Sequence, residues 1–259
     1  MTNINMQEVN EYFDVTPELL PYIPELLADL WALGSSPEVI IEWIRSLVLP
    51  PKQIRILDLG CGKGAVAIPL AKELKFQIIG IDFFEPFILE ARKRAKQLGA
   101  ANLCTFEFAD MRQVLKSTRN FDIVIYSAVG GMLGSFDQCV YNLRQTIRSG
   151  GYMIIDDGFR LTSVEIDFPG YEHYVPHEAT IRQLTCYGDT IISEKIFSIE
   201  DIKQINQRNT ELITKRAKAL AKQYPELANA FFNHLEKEKQ ECEILERDVA
   251  WAMWLLQKD

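Results

Sequence analysis

The stretch Arg55–Ala71 reads RILDLGCGKGAVAIPLA, and its pattern changes twice along its length. It opens within a short apolar run, Ile54, Ile56, Leu57 and Leu59, of the kind a buried parallel strand requires. Asp58 interrupts that run near its end, and Gly60, Gly62 and Gly64 follow at alternate positions. Beyond them Ala65, Ile68, Ala71 and Leu74 recur at offsets of three, which is a helical face. The reading is strand, glycine turn, helix. Glycines remove side chains where a backbone turns tightly and lies against a ligand, and a helix start offers unpaired N–H groups.

The same alternation runs outward from this stretch. Phe76–Ile81, ending at Asp82, Leu103–Phe108, ending at Asp110-Met111, Phe121–Tyr126, and Tyr152–Ile155, ending at Asp156-Asp157, read as strands. Between them Glu85–Leu98 and Phe136–Arg148 read as helices, the latter closed by Gly150-Gly151. Such spacing means βαβ units with right-handed crossovers. Asp189–Phe197 alternates apolar and polar residues as a strand does; Ala250–Leu256 fits either a strand returning beside the fifth or the last turns of the preceding helix, and the strand is the expectation. The expected fold is α/β and Rossmann-like: a mostly parallel seven-stranded sheet with helices on both faces.

The flanks read as helical. Met6–Phe13 and Glu25–Leu33 are expected helices, the second with Leu26, Leu27, Leu30 and Trp31 on its apolar face. Ser36-Pro37-Glu38 is a strong helix start, with a capping hydroxyl, a proline at the first position and an acid in the first turn. Ile40, Ile41, Trp43, Ile44 and Leu47 form the buried face of that helix, and Pro50-Pro51 stops it. Ile199–Arg247 reads as two antiparallel helices joined near Tyr224-Pro225. The domain reading is a helical cover over 1–53, a core over 54–198, a helical insertion over 199–248 and a last strand within 249–259.

Composition narrows the function. The 28 basic against 36 acidic residues, a net charge of -8, work against a broad phosphate-binding surface, so nucleic acid is a poor substrate candidate. The five cysteines form no C-x-x-C pair, which points to reduced thiols in the cytoplasm. The start of the chain lacks a signal pattern, and Ile123–Gly134 is too short and glycine-rich to span a bilayer.

Asp58-x-Gly60-x-Gly62-x-Gly64 resembles motif I of the class I S-adenosylmethionine-dependent methyltransferases. The turn by itself also fits a dinucleotide fingerprint through Gly60, Gly62 and Ala65. Phe108-Ala109-Asp110-Met111, Asn120–Val124 and Arg148–Tyr152 resemble later segments of the methyltransferase pattern, in order, over roughly residues 54–157. The resemblance implies S-adenosylmethionine as cofactor. It places Asp58 near the methionine ammonium, and Gly60, Cys61, Gly62 and Gly64 along the methionine and ribose. Asp82 would take the ribose hydroxyls, Phe83 would lie against adenine, and Asp110 with Met111 would fix the adenine edge. Ser127 would face the methionine end, and Leu133 would border the transferred methyl.

The bland alternatives are that Asp58 caps backbone, Asp110 caps the following helix, Phe83 is core, and Cys61 is a small residue at a backbone contact. The catalytic candidates are His173, Tyr174 and His177, in and just after an aromatic loop over Phe159–Val175. A resemblance to the catechol-type methyltransferases would make Asp156-Asp157 half of a metal site, but that pattern also needs an acid after strand four, where this chain has Tyr126-Ser127, so no metal is expected. Tyr12, Phe13 or Tyr22 is a candidate lid. The helical pair would roof a pocket, form a homodimer interface or pack on the sheet. The expected activity is methyl transfer to a small molecule; the alternatives are a protein or RNA acceptor, a nicotinamide-dependent oxidoreductase, and a non-catalytic binder of the adenosyl cofactor.

Overall fold

The computed structural model describes residues 7, 9, 12–49 and 53–259. Two compact units separate along the chain: one takes Ala32–Ile196 with Trp251–Asp259, the other the described residues up to Trp31 with Phe197–Ala250.

The larger unit carries the sheet. Its strands are β1 (Arg55–Leu59), β2 (Gln77–Asp82), β3 (Cys104–Phe108), β4 (Phe121–Ser127), β5 (Ile147–Arg160), β6 (Thr190–Ile196) and β7 (Val249–Gln257). They lie in the order β3-β2-β1-β4-β5-β7-β6. β1 to β5 pair in parallel, and β6 runs antiparallel to β7. The chain moves one way from β1 through β2 to β3 and then the other way through β4 to β5. The crevice between the ends of β1 and β4 is therefore the switch point where open α/β sheets hold ligands. Every residue of β4 is buried, which suits a central strand covered on both faces.

Ala250–Leu256 forms the greater part of β7, next to β5. Its apolar run is accounted for by burial: Ala252, Met253, Trp254, Leu255 and Leu256 are all inaccessible to solvent or nearly so.

α1 (Ile23–Leu26) lies in the smaller unit and α2 (Pro37–Ser46) in the larger. The expected helix over Glu25–Leu33 stops at Leu26. Bonds of the i to i+3 kind, Ala28 N–H to Glu25 and Leu30 N–H to Leu27, replace the helical ladder there, and the Asp29 carboxylate accepts from the Arg216 guanidinium. α2 begins at Pro37 as expected, but the Ser36 side chain makes no capping bond. It ends at Ser46, ahead of the proline pair, because Leu47 turns extended. The expected helix over Met6–Phe13 lies largely outside the described residues.

The larger unit continues with α3 (Ala67–Leu74), α4 (Glu85–Gln97), α5 (Met111–Ser117), α6 (Phe136–Arg144) and α7 (His177–Leu184). α6 is shorter than the expected Phe136–Arg148, and Gly150-Gly151 do not close it. They lie inside β5, which is longer than Tyr152–Ile155 at both ends. Ile147 pairs with Phe121 and Tyr152 with Ile123, so the residues between them bulge out. Gly150 has φ +70°, and a Cβ on Gly151 would lie 2.9 Å from the carbonyl oxygens of Arg148 and Asp122, so the bulge requires both glycines. In consequence Asp156, Asp157 and Phe159 lie within the strand.

In the smaller unit α8 (Ile199–Gln223) and α9 (Ala228–Asp248) are joined through a 3-10 turn at Pro225–Leu227. Ser198 caps α8 by accepting from the Asp201 N–H. Tyr22 packs there against Tyr224 and Phe231, at ring-centroid distances of 4.8 and 5.5 Å.

Candidate functional site

The glycine turn follows β1. Gly60, Gly62 and Gly64 all have positive φ, at +72°, +50° and +75°. A Cβ on Gly60 would lie 2.5 Å from Val129 Cγ2, so only glycine lets the turn approach the loop after β4 this closely. The Gly60 and Cys61 N–H groups both donate to the Ile81 carbonyl, at 2.8 and 3.0 Å, which ties the turn to the end of β2.

Asp82 completes that tie. Its Oδ2 accepts from the Gly62 N–H at 2.9 Å and its Oδ1 from the Phe84 N–H at 2.8 Å. Burial nevertheless pushes its carboxyl up to about 6, against the bonds from Phe84, Gly62 and Phe83. Asp58 is more extreme. It is buried, its Oδ2 has no hydrogen-bond partner, and burial assisted by the Asp82 charge raises it to about 7. An acceptor oxygen thus stands unsatisfied beside the glycine turn.

The other sequence-predicted residues divide. Cys61 is buried, and burial pushes its thiol well above the usual range, so it is no thiolate nucleophile. Phe83 is half-buried while its neighbour Phe84 is core, packed edge-on against Phe87 at 4.8 Å. Asp110 caps α5, its Oδ1 accepting from the Arg112 N–H at 2.8 Å, and it also holds the Arg112 guanidinium. The bland reading of Asp110 is thus observed; Met111 beside it is buried.

Ser127 donates to Asp156 Oδ2 at 2.6 Å. Burial raises Asp156 to about 7, against the bonds from Ser127 and the Ser36 N–H. After Ser127 the backbone takes a left-handed turn at Ala128, φ +55°, and enters a 3-10 turn over Gly130–Leu133. The Tyr126 hydroxyl donates to the Gly130 carbonyl at 2.7 Å and holds this turn in place.

Of the catalytic candidates, His173 sits against the 3-10 turn and its Nε2 is 3.2 Å from Asp157 Oδ2. Tyr174 is buried, stacked on Tyr171 and 4.2 Å from the His173 ring. His177 lies elsewhere: it pairs with Glu194, which also accepts from Trp254 Nε1 at 2.6 Å. That makes it part of the β6–β7 edge. Among the described residues no group of three or more His, Cys, Asp or Glu gathers as a metal site.

Two residues of the site escaped sequence reasoning. Lys63 is buried, its ammonium 5.3 Å from the Phe87 ring centroid; a lysine between two glycines was the available signal. Asp157 was visible only as half of an acidic pair.

The methyltransferase domain family matches residues 51–249. The chain belongs to the class I S-adenosylmethionine-dependent methyltransferases. Within that family it is 34% identical over 118 residues to a ubiquinone biosynthesis O-methyltransferase of Rickettsia canadensis, covering 46% of this chain and 48% of the relative. It is 27% identical over 166 residues to a 23S rRNA uracil C5-methyltransferase of Stenotrophomonas maltophilia, covering 58% and 36%. The chain thus spans less than half the length of these curated relatives. Its fold is that of an S-adenosylmethionine-dependent methyltransferase from Thiobacillus denitrificans solved with S-adenosylhomocysteine, at a TM-score of 0.76 and 16% identity over 95% of this chain and all of the other. In the methyltransferase unit the glycine turn, Asp58 and the loop after β4 meet at the switch point of the sheet.

Proposed function

We propose that this protein transfers the methyl group of S-adenosylmethionine to a small molecule. The observation that carries the reading is the Asp58 oxygen, buried without a partner beside a turn that needs glycine at positions 60, 62 and 64, where φ is positive. The ammonium of the cofactor's methionine part supplies the missing donor. Asp82, with two of its carboxylate lone-pair directions used by backbone, keeps others for ribose hydroxyls. Phe83, exposed in part, would lie against adenine, while Gly60, Cys61, Gly62 and Gly64 present backbone. Ser127 faces the methionine end. Met111 and Asp110 border the adenine, Asp110 keeping its bond to Arg112.

When bound, the cofactor supplies a methyl already activated on a sulfonium, so the chain's task is alignment and exclusion of water. The turn at Gly130–Leu133 and the aromatic loop lie beside Ser127 and shape the acceptor side. The net charge of -8 supports a small acceptor over RNA, although one relative is an rRNA methyltransferase. Five free cysteines support a reducing, cytoplasmic setting. No helix among the described residues is long and apolar enough to cross a membrane.

Parallel calorimetric titrations with S-adenosylmethionine, S-adenosylhomocysteine and NAD test the reading. Micromolar binding of the two adenosyl ligands, without NAD, is the expected result. Binding of NAD alone would overturn it.

A further inference from the structure

The larger unit pairs its arginines. Arg148 meets Asp122, Arg144 meets Asp189, Arg182 meets Glu178, and Arg92 donates to the Phe106 carbonyl. Arg160, the last residue of β5, departs from this pattern. Among the described residues its guanidinium has no hydrogen-bond, ion-pair or ring partner. Its Nε is buried, whereas the residue as a whole is half-buried, so the stem is seated in the protein and the outer Nη groups reach solvent. The acids of the following loop, Glu165, Asp167 and Glu172, are exposed and leave it unpaired; Glu172 accepts from the Gly170 N–H at 3.0 Å instead. Partial burial of a cation without a counter-charge is unfavourable, so its presence calls for a reason.

Its place on the sheet supplies one. Ser127 is the last residue of β4 to pair with β5, opposite Asp156, and β5 runs on through Arg160. Alternation along the strand sets Asp156, Gly158 and Arg160 on one face, and Gly158 contributes no side chain between the acid and the arginine. Four residues of extended chain span ~13 Å. The Arg160 N–H donates to the Val175 carbonyl at 3.0 Å, and Arg160 bridges to Pro176, so both ends of the aromatic loop are fixed at this point. Phe159 beside it packs on His177 at 4.6 Å. The cation is thus held at a set distance beyond Ser127, at the carboxyl ends of the strands, where open α/β sheets take their ligands.

We infer that Arg160 binds an anionic group of the methyl acceptor, so the acceptor is a small molecule carrying a carboxylate or phosphate at the end away from the accepting atom. The inference rests on the methyl-transfer reading above. The Nη–H groups donate to two of the anion's oxygens, a fork that matches the spacing of carboxylate and phosphate oxygens alike. The fixed charge holds the far end of the acceptor while its near end lies toward Ser127 and the cofactor. In a chain of net charge -8 a neutral acceptor would need no such cation, and an anionic one needs a local cation to offset the repulsion.

The test uses the full chain with its arginines labelled with nitrogen-15, as wild type and R160Q, loaded with S-adenosylhomocysteine. The Arg160 Nε–H signal is identified by its loss in R160Q. Acetate and inorganic phosphate are titrated separately, against acetamide and against sodium chloride at equal ionic strength. A saturable shift of that signal with acetate, with phosphate or with both is expected, and the anion that gives it tells a carboxylate acceptor from a phosphate one. No shift with either anion, or the same shift with sodium chloride, would overturn the inference. Calorimetry with S-adenosylhomocysteine separates the two readings. R160Q should keep the wild-type affinity within twofold, which also certifies its fold. Absence of adenosyl binding in the wild type would sink the methyl-transfer reading, whereas intact adenosyl binding without an anion response sinks this inference alone. In turnover, small hydroxy and amino acids are compared with their amides by S-adenosylhomocysteine release. The wild type should favour the acids by about tenfold to a hundredfold in kcat/KM, and R160Q should lose that preference. Amides turned over as fast as the acids by the wild type, or an unchanged preference in R160Q, would remove Arg160 from the acceptor site.

Discussion

Asp58 shows how one residue links binding to stability. The carboxyl ionises near 3.8 in an unfolded chain and near 7 when buried here. The folded state therefore binds the proton more tightly, and stability is full below pH 4 and lost as pH rises to about 7. That interval is worth at most on the order of 4 kcal/mol. Asp58→Asn abolishes the titration, so urea unfolding should show its advantage over wild type growing between pH 4.5 and 7.5; a constant difference across that range would count against the assignment. The same carboxyl must be ionised to hold an ammonium, so cofactor affinity should fall as pH drops below 7 in the wild type but not in the variant, as read by calorimetry. Asp82→Ala removes a charged acceptor and the tie to Gly62, and should weaken cofactor binding at least tenfold, since such a bond is worth ~1.5–3 kcal/mol. Unchanged affinity would remove Asp82 from the ribose site.

At the scale of elements, the turn after β1 and the turn after β4 act as one device. Gly60→Ala sets a Cβ 2.5 Å from Val129 at a φ of +72°, so the loop after β4 must move or the turn must open. We expect a loss of about 1–3 kcal/mol in stability together with weaker cofactor binding. The far end of the sheet gives a contrast. Asp122 is buried, accepts from the Arg55 N–H at 2.9 Å and from Arg148 Nε at 2.5 Å, and holds the β1, β4 and β5 starts together. Asp122→Ala strands a guanidinium and should cost about 3 kcal/mol of unfolding free energy while leaving cofactor affinity unchanged in the folded fraction. Equal losses of binding in both variants would erase this division between site and scaffold.

For the whole molecule, the buried thiols offer a simple measure of integrity. Cys61, Cys104 and Cys139 are buried, whereas Cys186 is exposed. Under a thiol reagent at pH 8 Cys186 should react first, and the three buried thiols only on unfolding. Rapid labelling of Cys61 in the native protein would contradict the packing of the glycine turn. A saturating adenosyl ligand should slow the release of the buried thiols, because binding at a hundred times the dissociation constant adds about 2.7 kcal/mol.

Much of this was legible in the residues themselves. Period-two and continuous apolar runs separated by helical periods set the order of strands and helices, and three alternating glycines after an acid marked the ligand turn, because a tight turn against a ligand admits few side chains. The fate of Ala250–Leu256 could be judged from the slot it would fill beside the fifth strand. What eluded sequence reasoning depended on partners distant along the chain. Gly150-Gly151 have the composition of a helix cap, but the carbonyl of Asp122 makes them a strand bulge. For Asp110 the ligand and capping readings stood side by side, and only the bond from the Arg112 N–H shows the cap. His173 and His177 look alike in the loop and differ only in what faces them, Asp157 in one case and Glu194 in the other. Local pattern records which conformations a segment favours; the choice of partner for a charge or a ring nitrogen belongs to the packed structure, where desolvation makes every unmatched polar atom count.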